Sequence, residues 1–191
     1  KVIVKKEVQE IGKIAFTKEA REKKFDFYLA LYDNQHKAYS QEKMEGILKG
    51  LDEKLGIKIT QIPNPENVQE IISVFTFKLS HDEQIEIPLE NGQVYRVLEK
   101  KAEGYDKAKV TYQKGWFRSE IPCEVFDKNG VYYSCTGYLS EEKEITKFIN
   151  PKSLPVPTGI VRDITPYLFG IFGFVAMAGA YLTISKKRRE A

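Results

Sequence analysis

The sequence predicts a mainly β protein, an immunoglobulin-like antiparallel β-sandwich with a helical insertion, followed by one C-terminal transmembrane helix. Three observations lead to this fold class. Short runs of alternating apolar and polar residues recur between residues 2 and 150, separated by turns that contain Gly, Asn or Pro. A helical pattern interrupts these runs at about residues 40–56. Residues 166–185 form one apolar stretch without a charged side chain.

The strands are predicted from residue parity, because successive side chains of a strand point to opposite faces. In the first strand, Val2, Val4, Lys6 and Val8 share one face, so an ammonium group lies in a row of valines. The other strands are predicted at residues 25–31, 74–79, 84–88, 94–99, 110–113, 116–125, 131–139 and 144–150.

The insertion is predicted to be one helix that packs on the strands. Ser40 is a suitable N-cap, and Gly56 ends the pattern. Apolar residues recur between them at helical spacing, at Met44, Ile47, Leu48, Leu51 and Leu55. Such a stripe is more typical of core packing than of a binding site.

The C-terminal segment predicts a surface-anchored protein. A helix over residues 167–184 would be about 27 Å long, close to the thickness of the bilayer's hydrocarbon core. The basic tail, residues 186–191, belongs on the cytoplasmic side, because positive charge resists translocation. Residues 1–150 are therefore expected to be an extracellular domain, joined to the helix by a Pro-rich linker at 151–165.

Charge and composition exclude several classes of function. Five of the 30 basic and two of the 27 acidic residues follow Thr158, so residues 1–158 carry 25 of each sign and indicate no nucleic-acid partner. We find no phosphate-binding loop, no nucleophile elbow and no His/Cys grouping, and therefore expect no cofactor, no metal and no turnover enzyme. The chain starts at Lys1 without a signal peptide, which suggests a processed or truncated form.

Two cysteines flank a predicted hairpin with a Gly-containing turn. If residues 128–130 form a three-residue loop, Cys123 faces Cys135 and the pair can close a disulfide outside the cell. The alternative is two reduced core cysteines, because a loop one residue longer would break this register.

Three polar side chains end or interrupt the apolar faces of their strands. Lys6 lies among valines, Glu99 shares a face with Tyr95 and Val97, and Asn150 lies two residues after Phe148. Burial favours a neutral Lys and a protonated Glu. A neutral amine beside a carboxamide is a nucleophile beside an electrophile, and an acid can polarise the carbonyl and shuttle protons. The triplet is therefore a candidate for a Lys–Asn isopeptide bond between the first and last strands. The alternative is three common residues at strand ends, exposed to water.

Four segments in the same order resemble the isopeptide-linkage domains of Gram-positive pilins and related surface proteins. They are VKKEV at residues 4–8, FDF at 25–27, YRVLE at 95–99 and FIN at 148–150. The resemblance implies that the Lys and Asn at the matching positions form an intramolecular bond, which the matching Glu promotes. Carried to this sequence, these are Lys6, Asn150 and Glu99, with strand parity favouring Lys6 over Lys5.

The resemblance has limits at both ends of the domain. The glycine expected soon after Val8 comes only at Gly12, and Pro151 directly follows Asn150. The helical insertion and the cysteine hairpin are not covered by the resemblance.

Residues 155–159, PVPTG, resemble a sortase sorting signal of the Leu-Pro-x-Thr-Gly type. In that family the bond between Thr and Gly is cut, here Thr158 and Gly159 after Pro157, and the chain is passed to a wall precursor or another pilin subunit. Pro155 and Val156 depart from the pattern. The alternative is a linker before a permanent membrane anchor.

Together these features predict a pilin-like or adhesin-like cell-surface protein of a Gram-positive bacterium, with a sortase, the cell wall, pilin subunits and a host ligand as its possible partners. The alternative is a membrane-anchored receptor that binds a ligand and carries no crosslink.

Overall fold

The computed structural model describes residues 1–11, 17–65, 67–90, 92–114, 120–123, 132–139 and 143–153. Within them the chain forms ten strands and two helices, which confirms the mainly β prediction. The strands are β1 (Val2–Ile11), β2 (Phe25–Tyr32), β3 (Lys58–Pro63), β4 (Ile71–Leu79), β5 (Gln84–Ile87), β6 (Val94–Lys100), β7 (Lys109–Lys114), β8 (Ile121–Pro122), β9 (Tyr132–Tyr138) and β10 (Glu144–Ser153).

The strands form two five-stranded sheets. Sheet I has the order β5-β1-β10-β7-β8, and sheet II has the order β3-β4-β2-β6-β9. All neighbours are antiparallel except β1 and β10, which are parallel. The predicted antiparallel arrangement therefore holds for these pairs except β1 and β10 in sheet I. Parallel neighbours need a long crossover connection, and here all the chain between the first and last strands provides it.

The main core contains inward-facing side chains of both sheets. Phe27 of β2 lies at its centre, 5.7 Å from the ring of Phe77 in the same sheet and 5.3 Å from the ring of Phe148 in β10. All three rings are at most 3% exposed. Aromatic packing across the gap fixes how the inner faces of the sheets meet, and thus which side chains can touch there.

The helical insertion is present but shorter than predicted. Its helix, α2, spans Gln41–Leu48, and Ser40 caps it by accepting a hydrogen bond from the Lys43 N–H. A 3₁₀ turn follows at Glu53–Leu55 and ends at Gly56, whose φ of 63° is left-handed. Such a φ favours glycine, which lacks a Cβ. A second helix, α1 (Lys18–Glu22), was not predicted; Thr17 caps it, and Ala20 packs into the core.

Several strand boundaries differ from the sequence prediction, and the clearest departures are a missed strand, β3, and the end of β10. Strand β3 was missed, although Ile59 and Ile62 have the β-branched character of a strand, because Pro63 and the neighbouring turn residues indicate loop. Strand β10 continues to Ser153, so it runs through Pro151 and past the predicted domain end at residue 150. Pro151 fits there because its carbonyl, not its nitrogen, is hydrogen-bonded, to Asp106 N–H at 2.8 Å.

Among the described residues, no helix is long and apolar enough to cross a membrane. The predicted membrane helix at 166–185, the linker from residue 154 onward and the motif at Pro157, Thr158 and Gly159 lie outside the described residues.

Candidate functional site

Strand β1 carries Lys6 into the space between the sheets. Lys6 is 2% exposed and lies in the same inward row as Val4 and Val8, at 0% and 1%. The side chains of Lys5 and Glu7 on either side are only half-buried, as alternation requires. The prediction that Lys6 rather than Lys5 faces the core is therefore confirmed.

Glu99 and Asn150 approach Lys6 from two other strands. Asn150 follows Phe148 on the inner face of β10, and the parallel register with β1 pairs Phe148 with Lys6. Glu99 projects from β6 in the opposite sheet, where it pairs with Phe27 and Tyr133. Both Glu99 and Asn150 are completely buried. The three residues thus meet across the gap between the sheets.

One oxygen of Glu99 accepts from both partners. Lys6 Nζ lies 3.0 Å from Glu99 Oε1, and Asn150 Nδ2 lies 2.6 Å from the same atom. Glu99 Oε2 and Asn150 Oδ1 are buried without a hydrogen-bond partner. A buried polar atom without a partner costs roughly 1–3 kcal/mol. The arrangement is therefore unfavourable if these three side chains do no more than fill the core.

Burial favours the neutral form of both ionisable groups. It lowers the pKa of Lys6 to about 8, against the attraction and hydrogen bond of Glu99 and the smaller attraction of Glu7. It also raises the pKa of Glu99, against the charge of Lys6 and the hydrogen bonds from Lys6 and Asn150. A proton is therefore easier to move from Lys6 to Glu99 here than between the same groups in water.

An aromatic ring lies against the nitrogen of Lys6. The Phe25 ring centroid lies 4.0 Å from Lys6 Nζ, and Phe25 is 1% exposed. Phe27 and Phe148 lie in the same core. The FDF segment was predicted as an inward-facing strand, but sequence reasoning gave Phe25 no role beside the amine. The position of Phe25 at the start of β2 determines this contact, and parity alone does not reveal it.

This geometry joins a buried amine, a buried carboxamide and a carboxyl group that contacts both. The amide as placed turns its Nδ2 toward Glu99, whereas the sequence-based mechanism has the acid donate to the carbonyl oxygen. Moving the Lys6 proton to Glu99 and turning the carboxamide over by half a turn would let the acid donate to Oδ1. The arrangement can then perform amide exchange, with Lys6 as nucleophile and Asn150 as electrophile.

The two cysteines form a disulfide, as predicted, but they do not lie on paired strands; the predicted loop at residues 128–130 lies outside the described residues. Cys123 follows β8 of sheet I, and Cys135 lies in β9 of sheet II, with Cα atoms 5.6 Å apart. The Cys123 N–H donates to Val110 of β7, while Cys135 pairs with Val97 of β6. The predicted pairing of Cys123 opposite Cys135 across two neighbouring strands is therefore wrong, because β8 and β9 belong to different sheets. The bond ties the two sheets together.

Sequence reasoning missed a second buried polar contact between the sheets. The Tyr95 hydroxyl in β6 donates to Glu144 Oε2 in β10 at 2.7 Å, and both residues are completely buried. The signal was present, because Glu144 has the same strand parity as Phe148 and Asn150. A glutamate at the start of a strand is usually solvated, which conceals such a case.

The fold and the site define a two-sheet β domain whose first and last strands are neighbours and carry the buried Lys and Asn. The chain belongs to the family described as a domain of unknown function, DUF7601, whose model matches residues 1–152. No curated protein matches the chain.

Solved structures similar to this chain include bacterial pilus proteins. The major pilin from Streptococcus pyogenes aligns with a TM-score of 0.48 at 19% identity, over 80% of this chain and 48% of the pilin. A second S. pyogenes major pilin gives 0.44 at 17%, over 79% and 45%. A pilus-presented adhesin gives 0.42 at 21%, over 80% and 27%. The chain thus spans about half the length of the pilins it matches.

Proposed function

We propose that this protein is a pilin-like or adhesin-like structural protein of a Gram-positive cell surface, stabilised by a self-formed isopeptide bond between Lys6 and Asn150. The observation that carries the proposal is the shared contact of both side chains with Glu99 Oε1 inside a closed core. Nothing else in a sandwich requires a lysine, a glutamate and an asparagine to meet with two polar atoms left unpaired.

The reaction begins with a proton transfer from the Lys6 ammonium to Glu99. The neutral Nζ then attacks Asn150 Cγ, while the protonated Glu99 polarises the carbonyl oxygen. The C–N bond to Nδ2 breaks, Nζ loses its second proton to the departing group, and Nδ2 leaves as ammonia. Amine and primary amide thus become a secondary amide and ammonia, and Glu99 holds the proton that it took from the ammonium.

Such a bond would make the domain inextensible. Strands β1 and β10 lie in parallel register from Val2 opposite Glu144 to Ile11 opposite Ser153, so pulling on the two ends of the domain loads their hydrogen bonds in shear. With Lys6 joined to Asn150, tension passes through the new bond, and residues 7–149 lie outside the load path. A covalent tether is what a surface protein under drag requires.

The anchoring part of the proposal comes from the sequence. Residues 166–185 would hold the chain in the membrane with the basic tail inside, and cleavage after Thr158 by a sortase would transfer the chain to the wall or to another subunit. An inter-sheet disulfide suits the oxidising outside of a cell. Replacing Thr158 by Ala should keep the protein in the membrane fraction if sorting occurs, and should leave its distribution unchanged if the anchor is permanent.

The decisive test is the mass of the purified full chain under denaturing, reducing conditions. We expect it to be one ammonia lighter than the sequence requires, with a branched peptide that contains Lys6 and Asn150. Pro151 makes the branched peptide decisive, because a proline nitrogen has no proton with which to attack the Asn150 side chain, so Asn150 itself cannot lose ammonia as a succinimide. Separate, unmodified Lys6 and Asn150 peptides would reject the crosslink and leave a membrane-anchored receptor as the remaining function.

A further inference from the structure

A column of aromatic rings leads from the buried amine to the surface. Phe25 lies 4.0 Å from Lys6 Nζ, and the ring of Tyr105 packs edge-on against Phe25, with centroids 5.1 Å apart at 75°. Phe25 is 1% exposed, whereas Tyr105 is only half-buried. Tyr105 is therefore the outermost ring of this column.

Tyr105 belongs to the loop between β6 and β7, residues 101–108, which is fastened beside the site. The Asp106 N–H donates to the Pro151 carbonyl at 2.8 Å, so the loop is bonded to β10 at the residue after Asn150. Gly104 turns the loop with a φ of +79°, and Ala108 is 2% exposed in the core. The loop therefore starts directly after β6, the strand that carries Glu99, and is hydrogen-bonded to β10, the strand that carries Asn150.

A third layer lies over Tyr105. The Nζ of Lys152 is 5.5 Å from the Tyr105 ring centroid and 3.8 Å from Glu19 Oε1 of α1. Lys152 lies two residues after Asn150, on the same side of β10. The end of the sandwich next to Lys6 and Asn150 is thus covered by the Tyr105 ring, Lys152 and helix α1.

Access of water to Lys6 matters because burial is the main cause of its lowered pKa. The charged groups that act on Lys6 are Glu99 across the gap and Glu7 on its own strand. Both favour the ammonium, so desolvation alone accounts for the lowered pKa of Lys6. Removing the Tyr105 ring would take away the outer contact of Phe25, admit water and restore hydration of the ammonium.

We propose that Tyr105 is a positioning residue for crosslink formation, which holds Phe25 against Lys6 and keeps water from the site. This inference rests on the proposed function. Tyr105 acts through Phe25, whose ring lies against Lys6 Nζ. The proposal assigns this role to the ring of Tyr105 rather than to its hydroxyl.

The test compares Tyr105→Ala with Tyr105→Phe in the full chain, extracted in denaturant from inclusion bodies before it has folded, checked by mass to retain its ammonia, and then folded by dilution at several pH values. Mass spectrometry measures the rate of ammonia loss. We expect Tyr105→Phe to match the wild type. Tyr105→Ala should crosslink about tenfold more slowly for each pKa unit by which Lys6 moves toward its ordinary value. Its rate should also decline at a higher pH than the wild type, whose decline is expected near the Lys6 pKa of about 8.

Tyr39→Ala is the matched control. Tyr39 is also half-buried against the core, with Lys43 Nζ 3.5 Å from its ring centroid, but it precedes α2 and is absent from the ring column. It should crosslink at the wild-type rate with the wild-type pH profile. If Tyr105→Ala does not refold, Tyr105→Leu, which keeps an apolar group on Phe25, should give a smaller slowing in the same direction.

Wild-type rate and pH profile in the Ala and Leu variants would overturn the inference, as would equal slowing in Tyr39→Ala. A wild-type chain that never loses ammonia would overturn the proposed crosslink itself, and this inference with it. The two failures are therefore told apart by the wild type.

Discussion

The space between the sheets holds two buried glutamates whose surroundings differ. Glu99 contacts the amine of Lys6 and the carboxamide of Asn150, whereas Glu144 accepts hydrogen bonds from the hydroxyls of Tyr95 and Tyr112. Tyr95 and Glu99 lie on the same face of β6 and are about 13 Å apart along the strand. Both glutamates link sheet I to sheet II.

The comparison separates burial from reactivity. Burial and the charge of Glu144 raise the pKa values of Tyr95 and Tyr112, so both hydroxyls stay protonated and serve as donors. At Glu99, burial instead lowers the pKa of the partner base. A buried carboxylate therefore stabilises the sandwich in one place and can accept a proton from a nucleophile in the other, according to the group that faces it.

The largest expected effect distinguishes the two glutamates directly. Glu99→Gln keeps the shape of the side chain but cannot take the Lys6 proton, so it should abolish ammonia loss completely. Glu144→Gln should leave the crosslink intact. The intact masses of the two variants check this.

Loss of the crosslink should also lower the free energy of unfolding by about 5 kcal/mol, on the chain-entropy model for a loop of this length. Chemical denaturation measures it. Full crosslinking in Glu99→Gln would show that Glu99 is not the proton acceptor, and its loss in Glu144→Gln would show that the sites are not independent.

Mechanical loading gives the second prediction. Pulled between its ends, the wild-type domain should show no unfolding step, because the crosslink excludes residues 7–149 from the load path. Lys6→Met, which removes the nucleophile and keeps an apolar side chain of similar length, should unfold and lengthen by roughly 480 Å with the disulfide intact.

Reducing agent supplies the control. It should add roughly 40 Å to the step of Lys6→Met and nothing to the wild type, because the disulfide encloses a sequence separation of 12 and lies inside the crosslinked loop. A wild-type chain that unfolds like Lys6→Met in a single-molecule trace would contradict a covalent bond between β1 and β10.

Strand parity was sufficient to predict the inward side chains of this site. The alternation in β1, β6 and β10 placed Lys6, Glu99 and Asn150 on inner faces, and the structure brings them together. This worked because a two-residue period is a local property, set by the backbone itself. The resemblance of the segment order to isopeptide-linkage domains then indicated which of the many Lys, Glu and Asn residues to combine.

Properties that depend on sheet pairing could not be predicted in the same way. The register argument treated Cys123 and Cys135 as hairpin partners, but their strands β8 and β9 belong to different sheets. Likewise, the parallel β1–β10 pair and the contact of Tyr105 with Phe25 depend on residues far apart in sequence. Local patterns predict which face of a sheet a side chain occupies, but the groups that it contacts depend on how the strands and sheets assemble.

The third prediction concerns pH. The ammonium–carboxylate and amine–acid forms of the Lys6–Glu99 pair contain the same number of protons, so neither form is favoured by pH alone. At low pH Glu99, whose pKa is raised, takes a proton from solvent and can no longer accept one from Lys6. Above the Lys6 pKa of about 8 the pair loses its shared proton, so no acid remains to polarise the carbonyl. The crosslinking rate of refolding chain should therefore be bell-shaped, declining on the alkaline side near pH 8.

The readout is ammonia loss by mass spectrometry after never-folded chain, which still has its full mass, is diluted from denaturant. A rate that keeps rising well above this pH would mean that the neutral amine alone is sufficient and that the acid form of Glu99 contributes nothing. Glu144→Gln should follow the same curve as the wild type.

The smallest expected effect belongs to the unreactive glutamate. Tyr95→Phe removes the hydroxyl that donates to Glu144 and should destabilise the domain by roughly 1–3 kcal/mol, because a buried carboxylate oxygen loses a donor. Glu144→Gln should cost a similar amount, and the double variant less than the two together, since the residues are in contact. Denaturant titrations of the four chains, all crosslinked, would give this coupling free energy. Additive effects would mean that Tyr95 and Glu144 stabilise the sheets separately, each through its own packing.

Gly137→Ala offers an independent route, because a Cβ on Gly137 would meet the Tyr95 ring and must displace it. If Gly137→Ala disrupts the same hydrogen bond, it should lower the free energy of unfolding by less in a Tyr95→Phe or Glu144→Gln background than in the wild type. The mass of every variant should stay one ammonia short.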